Sequence, residues 1–350
     1  MSTIRDVAAK ANVHPSTVSR VFSGNARISD RTRRRVLAAA KALNFQPNAI
    51  ARSLSVRRTH TLGVVVPHVF KGYFDDTYFP QIMSGLLDVT YANNYRLLVS
   101  GCESYNDEIV QTLQILATRQ ADGIVVTSGR LDVNTVGELR VQATPLVLIG
   151  QPPEQHKDVA WVDADNCEDT RKVIARLIEL GHRRIAYVGG DPDSRVVKER
   201  LEGYCQAMRE AGITIDPSWI DYGYFVENGG YQAVERTQRS HLPPTAYYAA
   251  NDLMAIGILN ALREKQIAVP DAVSVVGTND SPEAAHLTPA LTSLCVPYRD
   301  IAAAAAQMLI DAIKEDVTPT GSQIFTSTLV ERETTAVCAE DSDPAVETAG

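Results

Sequence analysis

No stretch of about 18 uninterrupted apolar residues occurs in this 350-residue chain, so no segment is suited to cross a membrane as a helix. The opening residues, Met1-Ser2-Thr3-Ile4-Arg5-Asp6-Val7, lack an apolar signal core, and a cytoplasmic protein is expected. Cysteine is scarce. The five, at 102, 167, 205, 295 and 338, are odd in number and never form a C-x-x-C pair, which excludes a disulfide framework or zinc ribbon and suits a reducing compartment. No G-x-G-x-x-G follows a strand pattern and no G-x-x-x-x-G-K-[ST] occurs, and Gly189-Gly190-Asp191 is a lone glycine turn. His60, His68, His156, His182, His241 and His286 show no metal-ligand spacing and no nucleophile partner. No catalytic residue, metal or cofactor is therefore expected, and the chain reads as a non-enzyme.

Acids are nearly missing from the first sixty residues. Ten Arg and two Lys stand there against Asp6 and Asp30, a net charge of +10, whereas the remaining 290 residues carry −18. A basic head on an acidic body is the charge asymmetry of a nucleic-acid reader, and the body itself would be repelled by phosphate. The 45% hydrophobic and 22% charged composition excludes disorder, and the length suits two or three domains rather than one.

Within the head, Ile4, Val7, Ala8 and Ala11 fall at i, i+3, i+4 and i+7, one apolar helical stripe. Asn12-Val13-His14 reads as a turn, and Pro15 suits the first position of a second helix over about 15–23, where its missing N–H costs nothing. Val18, Val21 and Phe22 then face inward, leaving Pro15, Ser16, Ser19 and Arg20 facing out. Two short helices joined by about three residues read as a helix-turn-helix. Ser29 announces a third helix as its N-cap, with Val36, Ala40 and Leu43 on one face and Arg31, Arg33, Arg34 and Arg35 near its start. A plain three-helix mini-domain would share this pattern but would leave the missing acids unexplained.

Three blocks in order, Thr3-Ile4-Arg5-Asp6-Val7-Ala8, Thr17-Val18-Ser19-Arg20-Val21 and Pro47-Asn48-Ala49-Ile50-Ala51-Arg52-Ser53-Leu54, resemble the lactose-repressor (LacI/GalR) family of bacterial transcription regulators over roughly residues 2–335. The resemblance implies a sequence-specific DNA-binding regulator whose second helix enters the major groove. Pro15, Ser16 and Arg20 would face base edges, the planar fork of Arg20 matching guanine O6/N7, while Thr17 and Ser19 would contact phosphates. Thr3, Asn48 and Ala51 are carried over as DNA contacts with their blocks. The family usually has Ser where His14 stands, at the N-cap of the reading helix. The sequence leaves open whether His14 caps that helix or touches the DNA backbone. Residues 47–54 would form a hinge helix, too short to be stable alone, with Leu54 wedging into the minor groove; a linker leucine packing on the body is the alternative. The implied partners are a pseudo-palindromic double-stranded operator, a small effector and a second copy of the chain, at the bacterial nucleoid.

From residue 62 short apolar runs alternate with amphipathic stretches. Strands are expected at 62–67, 95–101, 123–128, 145–150, 159–165, 184–190, 246–251, 273–280 and 291–296, with Gly181 ending the helix before the sixth. This is an α/β pattern with parallel sheets. The resemblance implies a two-lobed periplasmic-binding-protein-like domain behind a helix-turn-helix head. The expected division is 1–46 for the head, 47–60 for hinge and linker, and 61–337 for the effector and dimerisation domain. In the last, 62–162 with 291–320 would form one lobe and 163–290 with 321–337 the other, the chain crossing near 161–163, 290 and 320. Residues 338–350 are acidic and small, carry no leucine heptad, and read as a disordered tail.

A small polar ligand needs planar hydrogen-bonding groups at strand ends and an aromatic face. On the resemblance, Arg200 in Glu199-Arg200-x-x-Gly203-Tyr204 would reach ring hydroxyls or a carboxylate, Asn251 would face the cleft from Asn-Asp-Leu-Met-Ala, Phe225 would stack, and Asp165 would accept across the waist. Ser128, Ser194 and Asn279 complete the set, with Asn279 where most relatives carry an aspartate. An amide both donates and accepts, so ligand identity transfers less readily. The stretch 69–78 is about five residues longer than the usual spacing. Its Tyr73, Phe74, Asp75, Asp76, Tyr78 and neighbouring Phe79 suit a larger saccharide, with Tyr78 and Phe79 as contacts; a surface flap competes evenly. Asp252 and Asp280 read as structural caps.

The function expected is repression of carbohydrate-utilisation genes, relieved by a sugar-like effector. A corepressor-dependent regulator with a nucleobase or phosphosugar ligand is the alternative. From other classes, a sugar-binding transport protein without a DNA role predicts a signal peptide and no basic head, and a nucleotide-using enzyme predicts the phosphate motifs that are missing.

Overall fold

The computed structural model describes residues 2–22, 28–45, 58–67, 76–127, 129–141 and 144–339. Three helices build the head: α1 (Ile4–Ala11), α2 (Pro15–Phe22) and α3 (Asp30–Ala42). Thr3 and Asp6 form a capping box on α1, with the Thr3 N–H donating to Asp6 Oδ2 at 2.7 Å and the Asp6 N–H donating to Thr3 Oγ1 at 3.3 Å. Ser29 caps α3, its hydroxyl accepting from the Thr32 N–H. Arg35 turns back from α3 to donate to the carbonyls of Ala11 and Asn12 at 2.6 and 3.2 Å, closing the C-terminus of α1 with a cation. Val7, Ala8, Ala11, Val18, Val21, Val36, Ala39 and Ala40 make the core, and the rings of Phe22 and Phe45 lie 5.8 Å apart at its edge.

The body holds two six-stranded sheets among the described residues. The first contains β1 (Thr61–Pro67), β2 (Arg96–Cys102), β3 (Gly123–Val126), β4 (Leu146–Ile149), β5 (Trp161–Ala164) and β11 (Ser322–Phe325), in the order β11-β5-β4-β3-β1-β2 with every pair parallel. The second contains β6 (Ile185–Gly189), β7 (Ile220–Tyr222), β8 (Ala246–Ala249), β9 (Ser274–Thr278), β10 (Thr292–Cys295) and β12 (Thr328–Val330), in the order β12-β10-β9-β8-β6-β7. Its pairs are parallel except β10 with β12. Crossover helices cover the sheets: α4 (Tyr78–Ala92), α5 (Tyr105–Ala117), α6 (Val133–Val141), α7 (Asn166–Glu179), α8 (Arg195–Glu210), α9 (Glu227–Thr237), α10 (Asp252–Glu264) and α11 (Tyr298–Glu315). β3, β4, β6, β8 and β9 are buried throughout, as strands covered on both faces must be, and this is why they read as continuous apolar runs.

Two differences from expectation concern the strands. β7, β11 and β12 carry no clear pattern of their own, and each sits at a sheet edge where one neighbour recruits it. The waist crossings also differ. β10 pairs with β9 in the second sheet, although 291–320 was assigned to the first lobe, and β11 pairs with β5 in the first sheet, although 321–337 was assigned to the second. The chain therefore changes sheet near 165, 296–297 and 326–327 rather than near 161–163, 290 and 320. A run such as Leu291-Thr292-Ser293-Leu294-Cys295-Val296 suits the interior of either sheet, so its pairing partner alone decides. Gly181 does end α7, at φ +94°, a conformation that favours glycine.

Candidate functional site

Both sheets have the doubly wound order in which the crevice outside the carboxyl ends of the strands holds ligands. One cavity lies there between them. Thr127 follows β3, Asp163 lies in β5, Ser194 and Arg200 come from the start of α8, Ala250 and Asn251 follow β8, Asn279 follows β9, and Tyr298 opens α11. The pocket is thus lined from strand ends and from the starts of the helices that follow them.

Arg200 is its buried cation. Its Nη1 donates to the Ala250 carbonyl at 2.7 Å, and its Nη2 donates to Tyr298 Oη at 3.1 Å and Asn166 Oδ1 at 3.4 Å. Gly203 brings the arginine there, since a Cβ at Gly203 would lie 2.1 Å from the Cys167 carbonyl oxygen and hold α8 off α7. All three acceptors are neutral oxygens. Burial pushes the Tyr298 phenol up to about 12 and keeps it neutral. Asp163 is a buried carboxyl raised to about 7, first by desolvation and then by the Glu199 carboxylate; the Ala164 N–H at 2.8 Å and the neighbouring Arg200 hold the shift back.

The Phe225 ring forms an apolar wall. Phe225 and Tyr224 both have left-handed backbone, at φ 62° and 54°, an uncommon conformation for bulky residues that the surrounding contacts must hold. Asn251 caps α10 by accepting the Met254 N–H at 3.0 Å and donates its Nδ2 to the Phe225 carbonyl at 3.0 Å. Two buried polar atoms of the wall, Asn279 Oδ1 and Thr127 Oγ1, have no hydrogen-bond partner among the described residues. The two lobes also touch directly. Arg130 pairs with Asp191, and Arg195 donates its backbone N–H to the Gly129 carbonyl at 2.9 Å and its Nη1 to the Pro152 carbonyl at 3.0 Å.

Of the expected effector residues, Tyr78, Ser194, Arg200, Phe225, Asn251 and Asn279 come together in this wall. Two do not. Phe79 is completely buried one position beyond Tyr78 and does not reach the cavity, because adjacent helical residues point about 100° apart. Asp165 spends its carboxylate capping α7, accepting the Glu168 N–H at 3.0 Å, and Asp163, two residues earlier in β5, lines the cavity instead. Ser128 lies outside the described residues. Asp252 accepts from Ser293 Oγ and the Ser281 N–H, and Asp280 pairs with Arg332 at 2.6 Å; neither lines the cavity. Sequence reasoning missed Thr127, Gln151, Asn166, Glu199 and Tyr298. Polar residues immediately beyond apolar strands were a usable signal for Thr127 and Gln151. Nothing local marked Tyr298.

In the head, Ser16 and Arg20 of α2 are exposed and Pro15, Thr17 and Ser19 are half-buried, while Val18 and Val21 are buried. This helix therefore anchors one side and presents the other. His14 is its cap: the ring Nδ1 accepts the Ser16 N–H at 3.3 Å and lies 2.8 Å from Ser16 Oγ. Thr3 belongs to the capping box of α1 and is exposed there. Asn48, Ala51, Leu54 and the whole hinge segment 47–54 lie outside the described residues, as do 69–75 and 340–350.

Residues 3–48 match the family described as bacterial regulatory proteins, lacI family, and residues 174–335 match a periplasmic binding protein-like domain. Catabolite control protein A of Priestia megaterium is 30% identical over 88% of this chain and 91% of its own length. The HTH-type transcriptional repressor PurR of Aliivibrio salmonicida is 31% identical over 90% of this chain and 93% of its own. Among solved structures, the transcriptional regulator CelR in complex with cellobiose is 32% identical, covers 95% of this chain and 100% of its own, and superposes with a TM-score of 0.72. With the head matched by the family model and relatives at 30–31% identity matched over about nine-tenths of the chain, this protein belongs to the lacI family of bacterial regulatory proteins and is a DNA-binding transcriptional regulator.

Proposed function

We propose that the protein works in the cytoplasm as a homodimeric repressor on a pseudo-palindromic operator, and that a neutral, sugar-like effector in the cleft lowers its DNA affinity. One observation carries the effector class: a single wall joins two buried polar atoms without partners among the described residues, Asn279 Oδ1 and Thr127 Oγ1, to a buried guanidinium and the Phe225 ring. Such a wall suits a molecule with an apolar face and several hydroxyls, which satisfies acceptors and donors together. The cellobiose complex of a relative 32% identical supports the same class. The carboxyl-bearing wall, with Asp76, Asp163 and Glu199 against Arg195 and Arg200, disfavours an anionic phosphosugar.

On this reading Pro15, Ser16 and Arg20 meet base edges and Thr17 and Ser19 meet phosphates, with 47–60 joining head to body. The effector shifts the lobes across the Arg130–Asp191 and Arg195 contacts, and the operator feels that shift by a coupling of ~1–3 kcal/mol. A thermal-shift screen of the full chain with neutral mono- and disaccharides, phosphosugars and nucleobases tests it. A ligand at about 100 times its Kd adds ~2.7 kcal/mol of stability. The hit is then added to an operator-binding assay, where release is expected. Stabilisation by nucleobases alone, or tighter operator binding with the hit, would overturn the sugar-released reading in favour of corepression.

A further inference from the structure

One acid of the cavity wall binds side chains of the opposite lobe. Asp76 stands just ahead of α4, on the first lobe, and reaches the second. Its Oδ2 accepts from Asn251 Nδ2 at 2.5 Å and its Oδ1 from Asn279 Nδ2 at 2.8 Å. The backbone two residues on steadies it, since the Tyr78 N–H donates to Oδ1 at 3.0 Å. Asn279 is 4% exposed, and its Oδ1 is buried with no partner among the described residues.

We propose that Asp76 is the specificity-determining acid of this cleft: it pins the Asn279 amide with its carbonyl toward the ligand and so makes the site choose uncharged hydroxyl donors over anions. The inference rests on the sugar-effector reading and deepens it. A free amide can present either end, but a carboxylate accepts only. With Asp76 in place, turning the amide over would set Asn279 Oδ1 against Asp76 Oδ1 at hydrogen-bond distance, two acceptors with no proton between them. The ligand-facing atom is therefore an acceptor, and it calls for a donor. The Asn251 carbonyl is already used by the Met254 N–H, so Asn279 carries this selection. An anionic group brought to the same end would meet the Asp76 charge. Position 279 is an amide, and the acid is supplied from the opposite lobe.

A reciprocal exchange tests this in the full chain, with D-glucose, cellobiose and glucose 6-phosphate as calorimetric probes. D76N should weaken binding of the better sugar about tenfold and narrow its preference over the phosphosugar by a similar factor, as loss of a charge-assisted hydrogen bond does. N279D alone sets two carboxylates together and should lose at least as much. D76N/N279D, which restores one amide against one carboxylate, should recover to within about threefold. Wild-type sugar affinity and selectivity in D76N overturn the proposal. A double-mutant cycle of D76A and N279A on ligand-free denaturant unfolding needs no effector. Non-additive losses support the bridge, and additive losses overturn it whatever the ligand. Failure of the wild type to bind either sugar, beside a non-additive cycle, sinks the sugar reading and the selection of hydroxyl donors with it.

Discussion

A Cβ at Gly190 would lie 2.0 Å from the ring of Phe225, so the ring rests on bare backbone at the end of β6. Because the obstruction is a side-chain ring, Gly190→Ala is expected to push Phe225 away from the strand and into the cavity. Effector affinity should fall at least about tenfold, while the effector-free chain keeps its operator affinity. Calorimetry with the screening hit and an operator shift assay separate the two. Unchanged effector binding would remove Phe225 from the ligand wall.

Asp163 makes the body sensitive to pH. Its carboxyl titrates near 7 in the fold, against an ordinary value of 3.8. Between those values the folded chain holds the proton more tightly than the unfolded one, so this group's contribution falls as pH rises through the window and is at its least favourable above about 7. Asp163→Asn should flatten that dependence. Urea unfolding at pH 5 and pH 8 should show the difference between wild type and variant changing by ~1–3 kcal/mol. Parallel behaviour of the two proteins would mean that Asp163 is ionised throughout.

The cap on the reading helix gives a third expectation. His14 Nδ1 accepts the Ser16 N–H, so that nitrogen carries no proton when the cap is made. His14→Ala should cost ~0.5–2 kcal/mol of local stability, and His14→Ser should restore it. Hydrogen exchange at residues 16–18 of the full chain reports the change. Equal protection in all three proteins would rule out the cap.

DNA contacts sort by their response to sequence. Arg20→Ala should lose ~1–3 kcal/mol of discrimination between operator and scrambled duplex, if the guanidinium reads a guanine. Arg33→Ala should weaken both duplexes about equally and lower the salt slope by about one. Equal losses on both duplexes for Arg20→Ala would take it out of the base-reading set.

Arg200→Ala strands the Ala250 carbonyl and loosens Asn166 and Tyr298. Each buried group left unpaired costs ~1–3 kcal/mol, so the body should be less stable and the effector response lost, with operator binding by the head retained. Wild-type effector affinity in the variant would move the binding site elsewhere.

Much of this was legible along the chain because it depends on near neighbours. The charge of the head, the helical stripe of Ile4, Val7, Ala8 and Ala11, the cap at Ser29, the glycine at 181 and the interior strands are all local consequences of side-chain period and backbone preference. Arg200, Asn251 and Asn279, singled out through the family resemblance of their short motifs, do line the cavity. Tertiary structure decided what depends on partners distant in sequence. β10 and β11 exchange the lobes expected for them because pairing, not pattern, assigns a strand to a sheet. Asp165 and Asp163 lie two residues apart, yet the helix start claimed the first as a cap and left the second in the cleft. Asp76 meets Asn251 and Asn279 from 175 and 203 residues away, a contact that exists because two separately built lobes bring their strand ends to one place.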